Sequence, residues 1–210
     1  MRRSLQGRGG MQVPCGTCTG CCTSGYSVQL RPVDHRAAAR IPPELLESAA
    51  GFPADQRTMW PRANGTCPML EAGRCTIYEV RPQTCLDYDC RVFAAAGIEA
   101  GGQDKAVINE RVRSWRFGYP TSRDELAHRA VQTAAAFIRE RRESFEVPVP
   151  AGPMGIAVLA IKACEVFMPG GSPEGAAEGV VAGRRADAAI AAAIVRAARR
   201  FDEAAAAPDF

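Results

Sequence analysis

The sequence predicts an α+β fold that is mostly α, with a small irregular cysteine-rich module packed on alanine-rich helices. Eight of the nine cysteines fall between Cys15 and Cys90, among prolines and turn residues that leave room only for short elements. Beyond about residue 95 the pattern changes to apolar residues at helical spacing. Alanine dominates that second half and only 7% of the chain is aromatic, so packing there must rest on small side chains of closely spaced helices. At 210 residues and 47% hydrophobic, the chain can bury one sizeable core or two small ones. The expected organisation is a disordered tail at 1–13, a cysteine module at 14–95, a helical part at 96–168, and a glycine-rich linker with a C-terminal helix at 169–210.

In chain order, Val28–Leu30 is expected as a short strand and Pro32–Arg40 as a helix, with proline near its first turn and Val33, Ala37 and Ile41 at helical spacing. Pro42-Pro43 stops that helix and opens a second short one at Glu44–Ala50. Phe52–Gly65 reads as a loop in which Asn64-Gly65 is a strong turn signal. Met69-Leu70 and Thr76-Ile77-Tyr78 flank Gly73 and predict a small hairpin, which Arg81-Pro82 terminates because the residue before proline favours extended backbone.

In the second half, Ser122 opens a capping box with Glu125, ahead of a helix reaching about Ser144 with Leu126, Ala130, Ala134 and Phe137 along one face. Val147–Pro153 is a proline-rich linker. Ala151–Met168 is apolar but interrupted by Lys162 and Glu165, so it reads as a buried helix rather than a membrane span. Gly170–Gly183 is a looser glycine-rich linker. Arg185–Ala206 closes the chain as a helix with Ile190, Ile194, Ala197 and Phe201 on one side.

The cysteines form two groups. Cys15, Cys18, Cys21 and Cys22 lie in CGTCTGCC; Cys67, Cys75, Cys85 and Cys90 lie in CPMLEAGRCTIYEVRPQTCLDYDC. Converging thiolates repel one another unless a cation such as zinc, or an iron-sulfur cluster, sits between them. A disulfide framework would need an oxidising compartment, and MRRSLQGRGGMQVPCG has no apolar run after its arginines to serve in export, so a cytoplasmic location is expected. Neighbouring Cys21 and Cys22 should diverge in an extended segment and so serve different metals or different edges of one multinuclear centre. The small residues between the cysteines allow two overlapping C-x-x-C knuckles. Each N-terminal pair would then be completed by two of the later cysteines, pinning the first segment onto the second.

The net charge of +3 counts every cysteine as neutral. Eight thiolates around two divalent ions would bring it to about −1, so the basicity does not point to nucleic acid. The arginines of the C-terminal half are interleaved with acids and lack aromatic stacking partners, which reads as a solvated helix face. The partner indicated is a metal ion, with no membrane and no nucleic acid; the sequence names no protein partner.

CGTCTGCC followed by CPMLEAGRCTIYEVRPQTC resembles the YkgJ-type cysteine-cluster family, the CxxCxxCC zinc- or iron-chelating domain, which includes flagellin lysine N-methylase. The resemblance covers roughly Cys15 to Cys90, with weaker agreement at Leu30–Arg36. It implies that Cys15, Cys18, Cys21, Cys22, Cys67, Cys75, Cys85 and Cys90 are the metal ligands and that zinc or iron is the cofactor. One departure is Leu86, where the family usually has arginine after the cysteine of R-P-x-x-C. Three classes of function follow: a structural metal protein, a metal-dependent enzyme by resemblance to the methylase branch, and a redox-responsive metal-handling protein.

Near the cluster, Arg74 and Arg81 are candidates to favour thiolates, Asp87 and Asp89 are minor candidates for an oxygen ligand, and Tyr78 is expected against the cluster or core. His35 and His128 read as solvated helix residues. Cys164 shares a helical face with Ala157, Ala160, Ile161 and Met168 and reads as a small buried hydrophobe. Nothing matches a serine-hydrolase elbow, a phosphate-binding loop or a dinucleotide fingerprint.

Overall fold

The computed structural model describes residues 13, 16–48, 55–170 and 183–206. Cys15, nearly all of the tail expected at 1–13, the end of the helix expected at Glu44–Ala50 and most of the Gly170–Gly183 linker lie outside them. Among the described residues the fold is mostly α with a little β: 57% helix, 3₁₀ turns included, and two small antiparallel strand pairs. No helix among the described residues is long and apolar enough to cross a membrane. The chain divides into two compact units, one containing Gln12–Cys90 and Gly101–Ser114, the other Arg91–Ala100 and Trp115–Phe210.

In the cysteine unit, β1 (Val28–Leu30) pairs antiparallel with β2 (Arg57–Met59) in the register Val28 to Met59 and Leu30 to Arg57. The second strand lies within the segment expected as loop; Thr58 and Met59 are buried, and Thr58 also bridges Glu47. Only three residues long, it offers too little alternation to be seen by pattern. The helix expected at Pro32–Arg40 is shorter, a 3₁₀ turn at Pro32–Asp34 followed by α1 (His35–Ala38). Pro43–Leu45 is a single 3₁₀ turn where the second short helix was expected, because Glu47 leaves to bond Thr58.

The hairpin is present but tighter than expected, with β3 (Leu70–Glu71) against β4 (Arg74–Cys75). Its two-residue turn has φ of 46° at Ala72 and 74° at Gly73, the left-handed backbone that a strand-matched tight turn requires. Tyr78–Val80 is a 3₁₀ turn and α2 (Gln83–Asp87) carries Cys85. The core of this unit is Val28, Leu30, Ala37, Ile41, Met59, Met69 and Ile77, with Cys67, Cys75 and Cys85 packed at its edge.

The helical unit is built from α3 (Arg91–Ala96), α5 (Ser122–Glu140), α6 (Pro153–Ala163) and α7 (Arg184–Ala206); α4 (Ala106–Ser114) belongs to the cysteine unit. α6 packs against α3, α5 and α7. Ala134, Ala157, Ala160 and Ala163 are fully buried together with Phe93, Ile138 and Ile194. Small side chains let the helices approach closely, and the larger ones fill the layers between. Leu126, expected on the inner face of α5, is 41% exposed, and Val131, Ala135 and Ile138 take its place.

The cap of α5 stands one residue earlier than the sequence suggests. Thr121 accepts from the Asp124 N–H at 3.3 Å while Asp124 accepts from the Thr121 N–H at 3.0 Å. Threonine and aspartate satisfy the same reciprocal geometry as serine and glutamate, so the sequence permits either register. Pro153 starts α6, and Cys164 is 2% exposed in the 3₁₀ turn that follows it.

Candidate metal centre

The first cysteine group is organised by a 3₁₀ turn, Gly20–Thr23. Gly20 donates its N–H to Cys18 Sγ at 3.4 Å. Gly20 is buried against α4: an added Cβ would lie 3.1 Å from Ile108 Cγ1, so glycine is what lets the loop seat there. Ser24 Oγ closes the turn by donating to Gly20 O at 2.6 Å. Lys105 Nζ donates to Ser24 O and lies 4.3 Å from the centroid of Tyr26, holding the far end of the loop.

This turn reverses one expectation. Cys21 and Cys22 do not diverge; their sulfurs are 3.8 Å apart. An extended chain alternates side chains by about 180°, whereas a 3₁₀ turn rotates by about 120° per residue, which brings neighbouring sulfurs within reach. Four sulfurs at 2.3 Å from one ion have tetrahedral edges of about 3.8 Å, so this pair stands at the spacing of two ligands on one ion.

The second group is fastened directly to the first. Cys67 N donates to Cys22 O at 2.6 Å, and Gly25 N donates to Gly65 O at 2.8 Å. Both glycines have positive φ, 70° and 80°, which lets the two loops run side by side. Arg62, which the sequence did not single out, donates to Pro68 O at 2.8 Å and Leu70 O at 3.3 Å and so shapes the turn that presents Cys67. Cys75 closes the hairpin opposite Leu70.

Cys85 is placed by Asp34, a buried carboxylate that accepts from Arg31 N at 2.8 Å and from Gln83 N at 2.7 Å. One side chain thus caps the 3₁₀ turn Pro32–Asp34 and anchors the first turn of α2. Thr84 Oγ1 adds a bond of 2.6 Å to Gln29 O.

Cys21, Cys22, Cys67, Cys75 and Cys85 lie within electrostatic reach of one another. The shared proton between Cys21 and Cys22, together with backbone N–H groups and Arg81, lowers the Cys21 thiol to about 7 despite its burial. The same shared proton, then burial, raises Cys22. Burial first and the neighbouring sulfurs second push Cys85 up to about 12, and burial raises Cys67. Crowded sulfurs in a half-dry pocket resist ionising together, and a cation supplies the charge they lack.

Cys90 is buried beyond α2, near Tyr88, whose hydroxyl also senses Cys21. Cys15 lies outside the described residues. Among those described, no three or more His, Cys, Asp or Glu side chains converge tightly enough to cage an ion. What is assembled is a pair at ligand spacing with Cys67, Cys75 and Cys85 within electrostatic reach of Cys21 or Cys22, and soft sulfur suits zinc or iron.

The remaining candidates have other roles. Asp87 pairs on the surface with Gln83 at 2.7 Å and Arg31 at 3.6 Å. Tyr78 is 48% exposed rather than packed in the core, and Arg81 lies over its ring with Cζ 3.7 Å from the centroid. Arg81 acts on Cys21 and Cys85, and Arg62 on Cys67, each favouring the thiolate. His35 is exposed. His128 is not simply solvated: Nδ1 meets Tyr119 Oη at 2.5 Å and the ring meets Phe117 edge-on, all within the helical unit.

Residues 14–107 match the CxxCxxCC family model, described as "Putative zinc- or iron-chelating domain". This segment is similar to that domain. It spans both cysteine groups and runs on into the start of α4, taking in the Lys105 that clamps the first loop. No curated protein and no solved structure matches the chain.

Proposed function

We propose that the CxxCxxCC domain chelates zinc or iron through cysteine thiolates, drawn from Cys15, Cys18, Cys21, Cys22, Cys67, Cys75, Cys85 and Cys90. The observation that carries this is the Cys21–Cys22 pair at 3.8 Å, hydrogen-bonded through its backbone to Cys67. Two sulfurs at that spacing suit one mononuclear ion or one iron of a cluster. The Cys18 sulfur already receives an amide donor, and Cys67, Cys75 and Cys85 all pack against the unit's core. A bound ion would bring the positive charge that lets these buried thiols ionise together, and it would lock two distant segments of chain.

Metal and acid-labile sulfide analysis of protein purified without oxygen tests the reading. The expected result is zinc or iron bound in stoichiometric amount and lost in part in Cys18→Ser and Cys75→Ser. Full loading of either variant removes that cysteine from the ligand set. A wild-type protein that retains neither metal after reconstitution overturns the proposal. Replacing Cys164, which is buried in the helical unit, should leave the stoichiometry unchanged.

A further inference from the structure

Cys21 and Cys22 are neighbours in space as well as in sequence, with Sγ atoms 3.8 Å apart. The turn that sets this spacing is held from several sides. Cys22 N and Thr23 N both donate to Thr19 O, at 2.8 and 3.1 Å, and Ser24 Oγ donates to Gly20 O at 2.6 Å. Cys22 O accepts from Cys67 N at 2.6 Å. The two thiols thus stand on a fixed backbone, and both are half-buried rather than sealed, so a small reagent reaches them. A direct bond between the sulfurs suits that backbone poorly. Disulfides usually join Cα atoms about 4.4–6.8 Å apart, whereas neighbouring residues stand only about 3.8 Å apart. An atom placed between the sulfurs needs no such adjustment: two bonds of about 2.3 Å, meeting between a right angle and the tetrahedral angle, span about 3.3–3.8 Å.

The number of donors limits what that atom is. Among the described residues, no three or more His, Cys, Asp or Glu side chains gather to hold an ion. A three-coordinate thiophilic centre that brings its own third substituent needs only two sulfurs. We propose that Cys21 and Cys22 form a dithiol site for a trivalent arsenical carrying one organic group. This goes beyond the zinc or iron reading and does not depend on it. In the reaction an organic arsenoxide condenses with the two thiols. Two arsenic–sulfur bonds form, the bonding between arsenic and oxygen breaks, and the oxygen leaves as water with both thiol protons. Arsenic stays trivalent throughout, so neither oxidant nor reductant is required. Because one rigid turn supplies both sulfurs, the second bond closes at high effective concentration, and the chelate withstands competition from single thiols.

The test treats the full chain, kept reduced, with phenylarsine oxide in excess glutathione and reads the adduct by intact mass. The wild type should gain one phenylarsenic group per chain, released by a small dithiol. Cys21→Ser and Cys22→Ser should each weaken uptake by about 100-fold or more, because a single arsenic–sulfur bond does not withstand the glutathione. Cys75→Ser, expected to retain less metal, should take up the arsenical as the wild type does. Alkylation of the unfolded wild-type adduct, followed by fragment mapping, should find Cys21 and Cys22 alone protected, a result that needs no variant to fold. Protection of any other pair, wild-type uptake by either of the first two variants, loss of uptake in Cys75→Ser, or no adduct at all overturns the inference. Zinc and iron content measured on the same preparation stands or falls separately.

Discussion

The two units solve the same problem, burying enough surface to hold a fold, by opposite means. The helical unit uses repetition: buried alanines on α5, α6 and α7 interlock with Phe93, Ile138 and Ile194, and most of its polar backbone is satisfied inside helices. The cysteine unit has strands of two or three residues and helices of four to nine, and a core of seven buried side chains. It leans on individual bonds instead: Asp34 to two amides, Arg62 to two carbonyls, Thr84 to Gln29, Cys67 to Cys22. A fold made of single bonds rather than layers has little reserve, and a metal is the natural cross-link for it.

The largest break in this contrast should come from chelation. A structural zinc supplies on the order of 10 kcal/mol, so a strong chelator should unfold the cysteine unit and leave the helical unit's amide protons protected. Hydrogen exchange with and without chelator reads this directly; equal loss of protection in α6 and β1 would contradict it.

Next in size is Asp34→Ala. It strands two partly buried amides and should lower stability by about 1–2 kcal/mol while loosening metal retention through Cys85. Urea unfolding followed at both units would register it in the cysteine unit only.

In the helical unit, Ala160→Val adds two methyl groups where exposure is 0% and should cost about 1–3 kcal/mol by overpacking, with metal content unchanged. Metal loss in that variant would show that the units are less independent than their construction suggests.

The smallest effect should be a gain. Ala72 is a non-glycine residue at φ 46°, and Ala72→Asn suits that backbone, raising stability by roughly 0.5–1 kcal/mol. A lower melting temperature would mean that the turn does not limit the hairpin.

The contrast also explains what the sequence could show. Helical periodicity placed α5, α6 and α7 to within a few residues, because repetition is what pattern reading detects. The CGTCTGCC run was legible because its chemistry is written in residue type. Three-residue β2, five-residue α2 and the roles of Arg62 and Asp34 were not, since each depends on a contact with a distant segment: Asp34 meets Gln83 49 residues away. The spacing of Cys21 and Cys22 is not legible because the four-residue 3₁₀ turn Gly20–Thr23 that sets it is too short to leave a pattern.

The bond from Cys67 N to Cys22 O also sets a clock on synthesis. At about 5–20 residues per second, the first cysteine loop leaves the ribosome several seconds before the segment that completes it. During that interval Cys21 and Cys22 have neither their later partners nor their shelter. The order of the two groups along the chain therefore makes the nascent loop the moment of greatest exposure to oxidants, and a metal supply at the site of translation the surest protection.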